Sequence, residues 1–279
     1  MTKAIQFKSF FSTDSAKAVK ADKYGYLNGI NYMSPHESAG VGNLCANASP
    51  GCIALCLGIY SGQAAMVADL EHGTNSVRES RKRKSRFFVG DVQAFLLEAC
   101  MHIVRLIKRA QTLGKTLCIR MNGATDIPFE RIIIKSRGVN IFDAFPDVQF
   151  VDYTKRFERL GKTPANLHLT FSRSEINEGL CKIALARGHN VAVVIAGAFP
   201  ATYLGAPVVS GDLHDLRHLD PTRPGGYVIA LTPKGNKAKR DASGFVVRLD
   251  KNVRPKSDLD LMFNRTEQPQ QLGLTTTSV

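Results

Sequence analysis

The chain has 279 residues, 44% of them hydrophobic and 22% charged, with 37 Lys and Arg against 24 Asp and Glu for a formal charge of +13. That apolar content supplies a full core and excludes a disordered chain, and no run of about 18 apolar residues is present to cross a bilayer. The charge favours an anionic partner, either nucleic acid or a phosphorylated small molecule, with no membrane expected.

The first twenty residues, MTKAIQFKSFFSTDSAKAVK, lack the continuous apolar stretch of a secretory signal. A cytoplasmic setting is therefore expected, where thiols stay reduced. Residues 1–44 are broken by Gly25, Gly29, Pro35, Gly40 and Gly42, which leaves room for a short strand or hairpin at most.

Residues 43–63, NLCANASPGCIALCLGIYSGQ, gather Cys45, Cys52 and Cys56, half of the chain's 6 cysteines, in one loop rich in turn-forming residues. Clustered thiols in a reducing compartment point to a metal before a disulfide, and soft thiolates suit zinc or an iron-sulfur cluster. Three ligands leave a four-coordinate site one short. A fourth from His36, His72, Cys100, Cys118 or Cys181 would close it as structural zinc; otherwise the position stays open for substrate or cofactor. Free cysteines also serve as small buried apolar residues.

A helix is expected to start after Cys56, over residues 61–70. The stretch 74–86 carries Arg78, Arg81, Lys82, Arg83, Lys84 and Arg86, a pattern that reads as solvated surface or as phosphate contact. Residues 91–111 place Val92, Phe95, Leu96, Ala99, Ile103, Leu106 and Ile107 at helical spacing, with Asp91 to cap the start and Gly114 to end it.

Short apolar runs then alternate with polar turns at 117–121, 148–155, 167–174, 190–197, 207–215, 227–235 and 244–250, with a helix over 174–187 capped by Ser174 and ended by Gly188. Buried strands alternating with helices predict an α/β fold: a partial or full parallel (β/α) barrel, one domain over 1–254 with an N-terminal cysteine-rich loop. A polar tail, 255–279, is expected to be poorly ordered. Each strand ends in polar groups, and in parallel folds such ends share one rim. The rim set is Arg120, Asn122, Asp126, Asp152, Lys155, Ser172, Arg173, Asp212, Asp215 and Arg217.

With the cysteines followed by RMNGATD, VDYTKR, HLTFSRSE, AVVIAG, VSGDLHDLR and ALTPKG, the chain resembles the phage-encoded gene-product-eighty-eight family. That family is in turn similar to the radical S-adenosylmethionine barrel enzymes. The resemblance implies that Cys45, Cys52 and Cys56 hold a [4Fe-4S] cluster whose open iron takes S-adenosylmethionine. It implies that Asn122 and Asp126 contact the cofactor's amino or ribose groups. Lys155, Arg173 and Arg217 would meet an anionic substrate or the cofactor carboxylate, and Asp152, Asp212 and Asp215 would accept hydrogen bonds or move protons. Two other readings stand beside it. One is a zinc-stabilised nucleic-acid-binding protein; the other is a magnesium- or manganese-dependent nuclease using Asp126, Asp152, Asp212 and Asp215.

Overall fold

The computed structural model describes residues 7–249. In chain order these form α1 Ala16–Lys20, β1 Tyr26–Ile30, the short helices α2 Pro50–Ala54 and α3 Leu57–Tyr60, α4 Ser76–Gly90 and α5 Val92–Thr112. There follow β2 Thr116–Arg120, β3 Gln149–Thr154, β4 Leu167–Ser172, α6 Glu178–Ala186, β5 Val191–Ala196, β6 Thr202–Tyr203, β7 Ala206–Ser210, β8 Val228–Leu231, α7 Asn236–Lys239 and β9 Val247–Arg248. The tail expected from 255 onward lies outside the described residues.

The strands make one mostly parallel sheet in the order β1-β2-β3-β4-β5-β8-β7-β6, with β9 added to β5. Only the β6–β7 hairpin is antiparallel. Burial on both faces explains why the strands read as apolar runs. On one face Leu117, Ile119, Phe150, Leu167 and Leu169 pack with Phe95, Leu96, Ala99 and Ile103 of α5. Further along, Phe171, Val191, Val193, Ile195 and Val228 pack with Cys181, Ala184 and Leu185 of α6. The opposite face holds a smaller cluster of Cys118, Val151, Ala21 and Leu216.

The sheet does not close, so the full barrel, one of the two forms expected, is corrected to an open, mostly parallel sheet. Closure would need β7 or a further strand beside β1. Instead Ser12 bridges the free edge of β1 through two backbone hydrogen bonds with Ile30, 2.8 and 2.9 Å. The gap is crossed by side chains: Lys20 Nζ donates to the Asp212 carbonyl at 2.6 Å, and Tyr24 and Tyr26 meet His214 and His218 edge-on. Leu216, beyond β7 in the chain, packs on Cys118 and Val151 of β2 and β3.

Three local expectations change. The cysteine stretch is not a plain loop, because Ser49 accepts from the Cys52 amide at 3.2 Å and Pro50 opens α2, which places Cys52 inside a helix and Cys56 just before α3. The helix expected over 61–70 is a single 3-10 turn at Gly62–Ala65, interrupted by Gly62 at φ 55°. α6 begins at Glu178 rather than near Ser174, since the Asn177 side chain takes the Ser174 amide (2.7 Å) and donates to the Ser172 carbonyl (3.0 Å), holding a turn there. By contrast α5 starts as read, its first turn capped by Asp91 accepting from Ala94 at 2.9 Å, and Gly114 follows it at φ 61°.

A candidate cysteine-lined site at the strand ends

The carboxyl ends of the parallel strands face a cavity of about 220 Å³. Cys45, Cys52 and Cys56 line it together with Arg120, Asp126, Lys155, Ser172, Asp212 and Asp215. Asn122, Asp152, Arg173 and Arg217 stand outside that lining, each engaged with protein groups. His36, which sequence considered as a fourth ligand, lines the same cavity, with its backbone at φ 35°. His72 is exposed and bonds Asp69, while Cys100, Cys118 and Cys181 are buried in the packing layers.

The cysteine segment is clamped from outside. The Glu175 carboxylate accepts from Ser49 Oγ and from the Gly51 amide, both at 2.7 Å, tying the start of α2 to the turn after β4. Gly51 is required there, because a Cβ would fall 2.5 Å from Ser243 Oγ and 2.9 Å from the Glu175 carboxylate. Cys45 is set by an Asn43 side chain that accepts from its amide at 2.8 Å.

Each sulfur has an N–H group beside it. The His36 backbone N–H serves Cys45, the Gly58 backbone N–H serves Cys56, and the Lys155 ammonium serves Cys52. Burial, with the neighbouring sulfurs adding to it, pushes the Cys45 thiol up to about 11 and Cys56 up to about 12. At neutral pH these two are therefore thiols until a cation displaces their protons. Among the described residues no group of three or more His, Cys, Asp or Glu side chains is drawn together tightly enough to hold a metal ion. The three thiols are neighbours around one space rather than a closed ligand set.

Most charged groups of the rim are matched to one another. Arg120 donates to Asp215 at 3.0 Å, lies 3.7 Å from Asp152 and stacks over Tyr153, whose hydroxyl donates to Asp215 at 3.2 Å. Asp152 accepts from the Asn122 amide (3.0 Å) and side chain (2.9 Å), and burial raises its pKa to about 6 against the pull of Arg120 and Arg159. Asn122 also accepts from Thr125 and Ile127, so it builds the turn after β2. Asp126 accepts from Thr154 Oγ1 (2.9 Å), the Lys155 amide (2.8 Å) and Arg159 (2.6 Å).

Arg159, which sequence reasoning missed, is fully buried and forks onto Glu130 at 2.8 and 3.0 Å. The one available signal was the tripeptide Phe-Glu-Arg, present at both 129–131 and 157–159. Arg173 donates to the carbonyls of Gly244 (2.7 Å) and Phe245 (3.0 Å). Arg217, also fully buried, pairs with Asp220 at 3.3 Å and donates to the His214 carbonyl at 2.5 Å. Asp212 accepts from the Thr232 amide at 2.9 Å and meets Lys234 at 3.3 Å.

The basic run on α4 turns largely inward. Arg78 donates to four carbonyls, those of Ala64 (2.7 Å), Gly73 (2.6 Å), Leu70 (3.0 Å) and Ile59 (3.1 Å). Arg81 reaches the Gly58 carbonyl at 2.5 Å and Arg86 that of Ala39 at 3.2 Å. Lys84 donates to the Phe10 carbonyl between the rings of Phe7 and Phe10, and burial lowers its pKa to about 7.

Fold and site together define a parallel α/β protein with a thiol-lined cavity at its strand ends. The chain belongs to the gene product 88 family, which it matches over residues 9–249. No curated protein and no solved structure matches it.

Proposed function

We propose that the chain is an iron-sulfur enzyme of radical S-adenosylmethionine type, acting on an anionic substrate, in which Cys45, Cys52 and Cys56 hold a [4Fe-4S] cluster at the cavity wall. The observation that carries this reading is the set of three thiols on one strand-end cavity, each sulfur beside its own N–H donor. Such donors stabilise metal-bound thiolates and tune cluster potential. The donor chemistry fits: three soft sulfurs satisfy three irons, and the fourth is left to a ligand in the cavity.

When bound, a cluster of this kind supplies an electron to a coordinated sulfonium. The chain's own residues hold and shape the site. Glu175 fixes the helix that carries Cys52, and Asp126 fixes the backbone of Lys155, whose ammonium meets Cys52. Arg120 holds the Asp215 carboxylate in place through a buried pair.

Anaerobic purification followed by iron and sulfide reconstitution tests the reading. About four irons and four sulfides per chain are expected, with a brown chromophore. Cys52→Ser should lose the chromophore while far-ultraviolet circular dichroism stays unchanged. A colourless protein lacking iron and sulfide, or one that takes up stoichiometric zinc with His36 as fourth ligand, overturns it.

A further inference from the structure

We propose that the cavity takes a ligand with a carboxylate on an apolar or aromatic body, the carboxylate seated on Lys155 beside Ser172. This deepens the preceding reading by naming the substrate class of the same cavity, and it rests on that cavity being the ligand site rather than on iron.

Arg120 is matched by Asp215 and flanked by Asp152; Lys234 meets the Asp212 carboxylate, and Lys20 donates to the Asp212 carbonyl. Lys155 is different. Its ammonium reaches the Ser172 hydroxyl at 3.3 Å and the Cys52 sulfur, and it makes no ion pair among the described residues. The nearest acid, Asp126, is already held by Arg159, Thr154 and the Lys155 amide. A partly buried cation aimed at a cavity and left without a counter-charge selects an anion from the ligand.

Lys20 also lines the cavity, but it is exposed and bonded to a carbonyl, so the partly buried ammonium of Lys155 is the one that suits a monoanion. A phosphate dianion would bring a second negative charge for which the wall keeps no buried partner, since Arg120 and Lys234 already meet Asp215 and Asp212. The body of the ligand follows from the surface next to Lys155. Its ammonium lies 5.6 Å from the centre of the Phe245 ring, and Leu55, Val194, Leu231 and Ala238 continue that wall. Phe245 is held in place by the Arg173 guanidinium on its carbonyl.

Calorimetric titration of the full-length protein with hexanoate, hexan-1-ol and inorganic phosphate tests the proposal, with iron measured in every preparation. Hexanoate should bind at least about tenfold more tightly than hexanol, the difference a charge-assisted hydrogen bond supplies, and phosphate should bind more weakly than hexanoate. Lys155→Met should erase the preference for hexanoate over hexanol, and Phe245→Ala should weaken both ligands while keeping their ratio. Equal binding of hexanoate and hexanol to the unaltered protein overturns the proposal, whether or not Lys155→Met folds, and so does tighter binding of phosphate. A Lys155-dependent preference in protein that takes up no iron on reconstitution supports the carboxylate site and overturns the cluster. Iron uptake without the preference does the reverse.

Discussion

Two neighbouring stretches of this chain look equally rich in chemistry as sequence, and the fold treats them in opposite ways. The basic run of α4 places its longest donors on backbone carbonyls: Arg78 on four of them, Arg81 on Gly58 and Lys84 on Phe10. The cysteine segment keeps its reactive atoms on a cavity, where N–H groups lie beside the sulfurs and Cys45 Sγ also donates to the Ala124 carbonyl at 3.5 Å. The two are physically joined, since Arg78 and Arg81 grip the carbonyls of Ile59 and Gly58 within α3. Density of charged or soft residues therefore does not by itself mark a site. What marks one is a polar group that the protein leaves unmatched, and the matched cluster serves as the frame for the unmatched one.

The sharpest way to break this contrast is Arg78→Ala. Four carbonyls would lose a charged donor at once, in a region where Arg78 is only 7% exposed. The expected loss is about 3–5 kcal/mol, read from urea denaturation. Arg78→Lys should recover little of it, because an ammonium cannot span four acceptors as the guanidinium does. A cost below about 1 kcal/mol would mean that α4 does not frame the cysteine segment.

Lys84 tests the same inward turn through pH. Its ordinary pKa of 10.5 falls to about 7 in the folded chain through burial, with Arg81 and Arg83 adding to the effect and Glu98 opposing it. Between those values the unfolded chain holds a proton that the folded chain has released, so stability rises with pH across that window. From pH 7 to 9 the gain should be about 1–2 kcal/mol relative to Lys84→Met, which lacks the group. The comparison with Lys84→Met removes the contribution of other titrating groups. Parallel pH profiles for the two proteins would place the ammonium in solvent.

The cysteine side of the comparison is sharpened by Glu175→Gln. One acceptor oxygen remains where two stood, leaving either Ser49 Oγ or the Gly51 amide without its partner. The cost to folding should be about 1 kcal/mol; for the cluster proposed above, a larger effect is expected on the iron that reconstituted protein retains after gel filtration, since Cys52 rides on the helix so released. Full retention of iron would show that the clamp positions nothing of consequence.

These contrasts also divide what was legible in the sequence from what was not. The strands were readable because a sheet packed on both faces writes itself as short apolar runs, as at Val191–Ala196. α5 was readable because one stripe of Phe95, Leu96, Ala99 and Ile103 recurs at helical spacing. The strand-end rule brought Arg120, Asp126, Lys155, Ser172, Asp212 and Asp215 onto one cavity with the cysteines. Partners were not readable. Arg173 and Arg217 look no different in sequence from Lys155, yet they meet carbonyls and Asp220, because a backbone acceptor leaves no residue-specific trace. The open edge of the sheet was hidden for a similar reason: Ser12 bridges the end of β1 through its backbone alone.

The smallest effect is the one that makes the α4 comparison quantitative. Lys82 lies four residues from Arg78 in the same run, yet its ammonium meets only Glu79, at 3.1 Å, with the two side chains 30% and 49% exposed. An ion pair of this kind, three residues apart on a helix and open to water, contributes little, and alanine improves helix propensity. Lys82→Ala should therefore change stability by less than about 0.5 kcal/mol, and added salt should shrink even that. Glu79 would keep the Thr74 hydroxyl at 2.5 Å, so no carboxylate is left bare. If Lys82→Ala cost as much as Arg78→Ala, the run would be acting through its summed charge, and the distinction between matched and unmatched groups would fail at the place where the two lie closest in sequence.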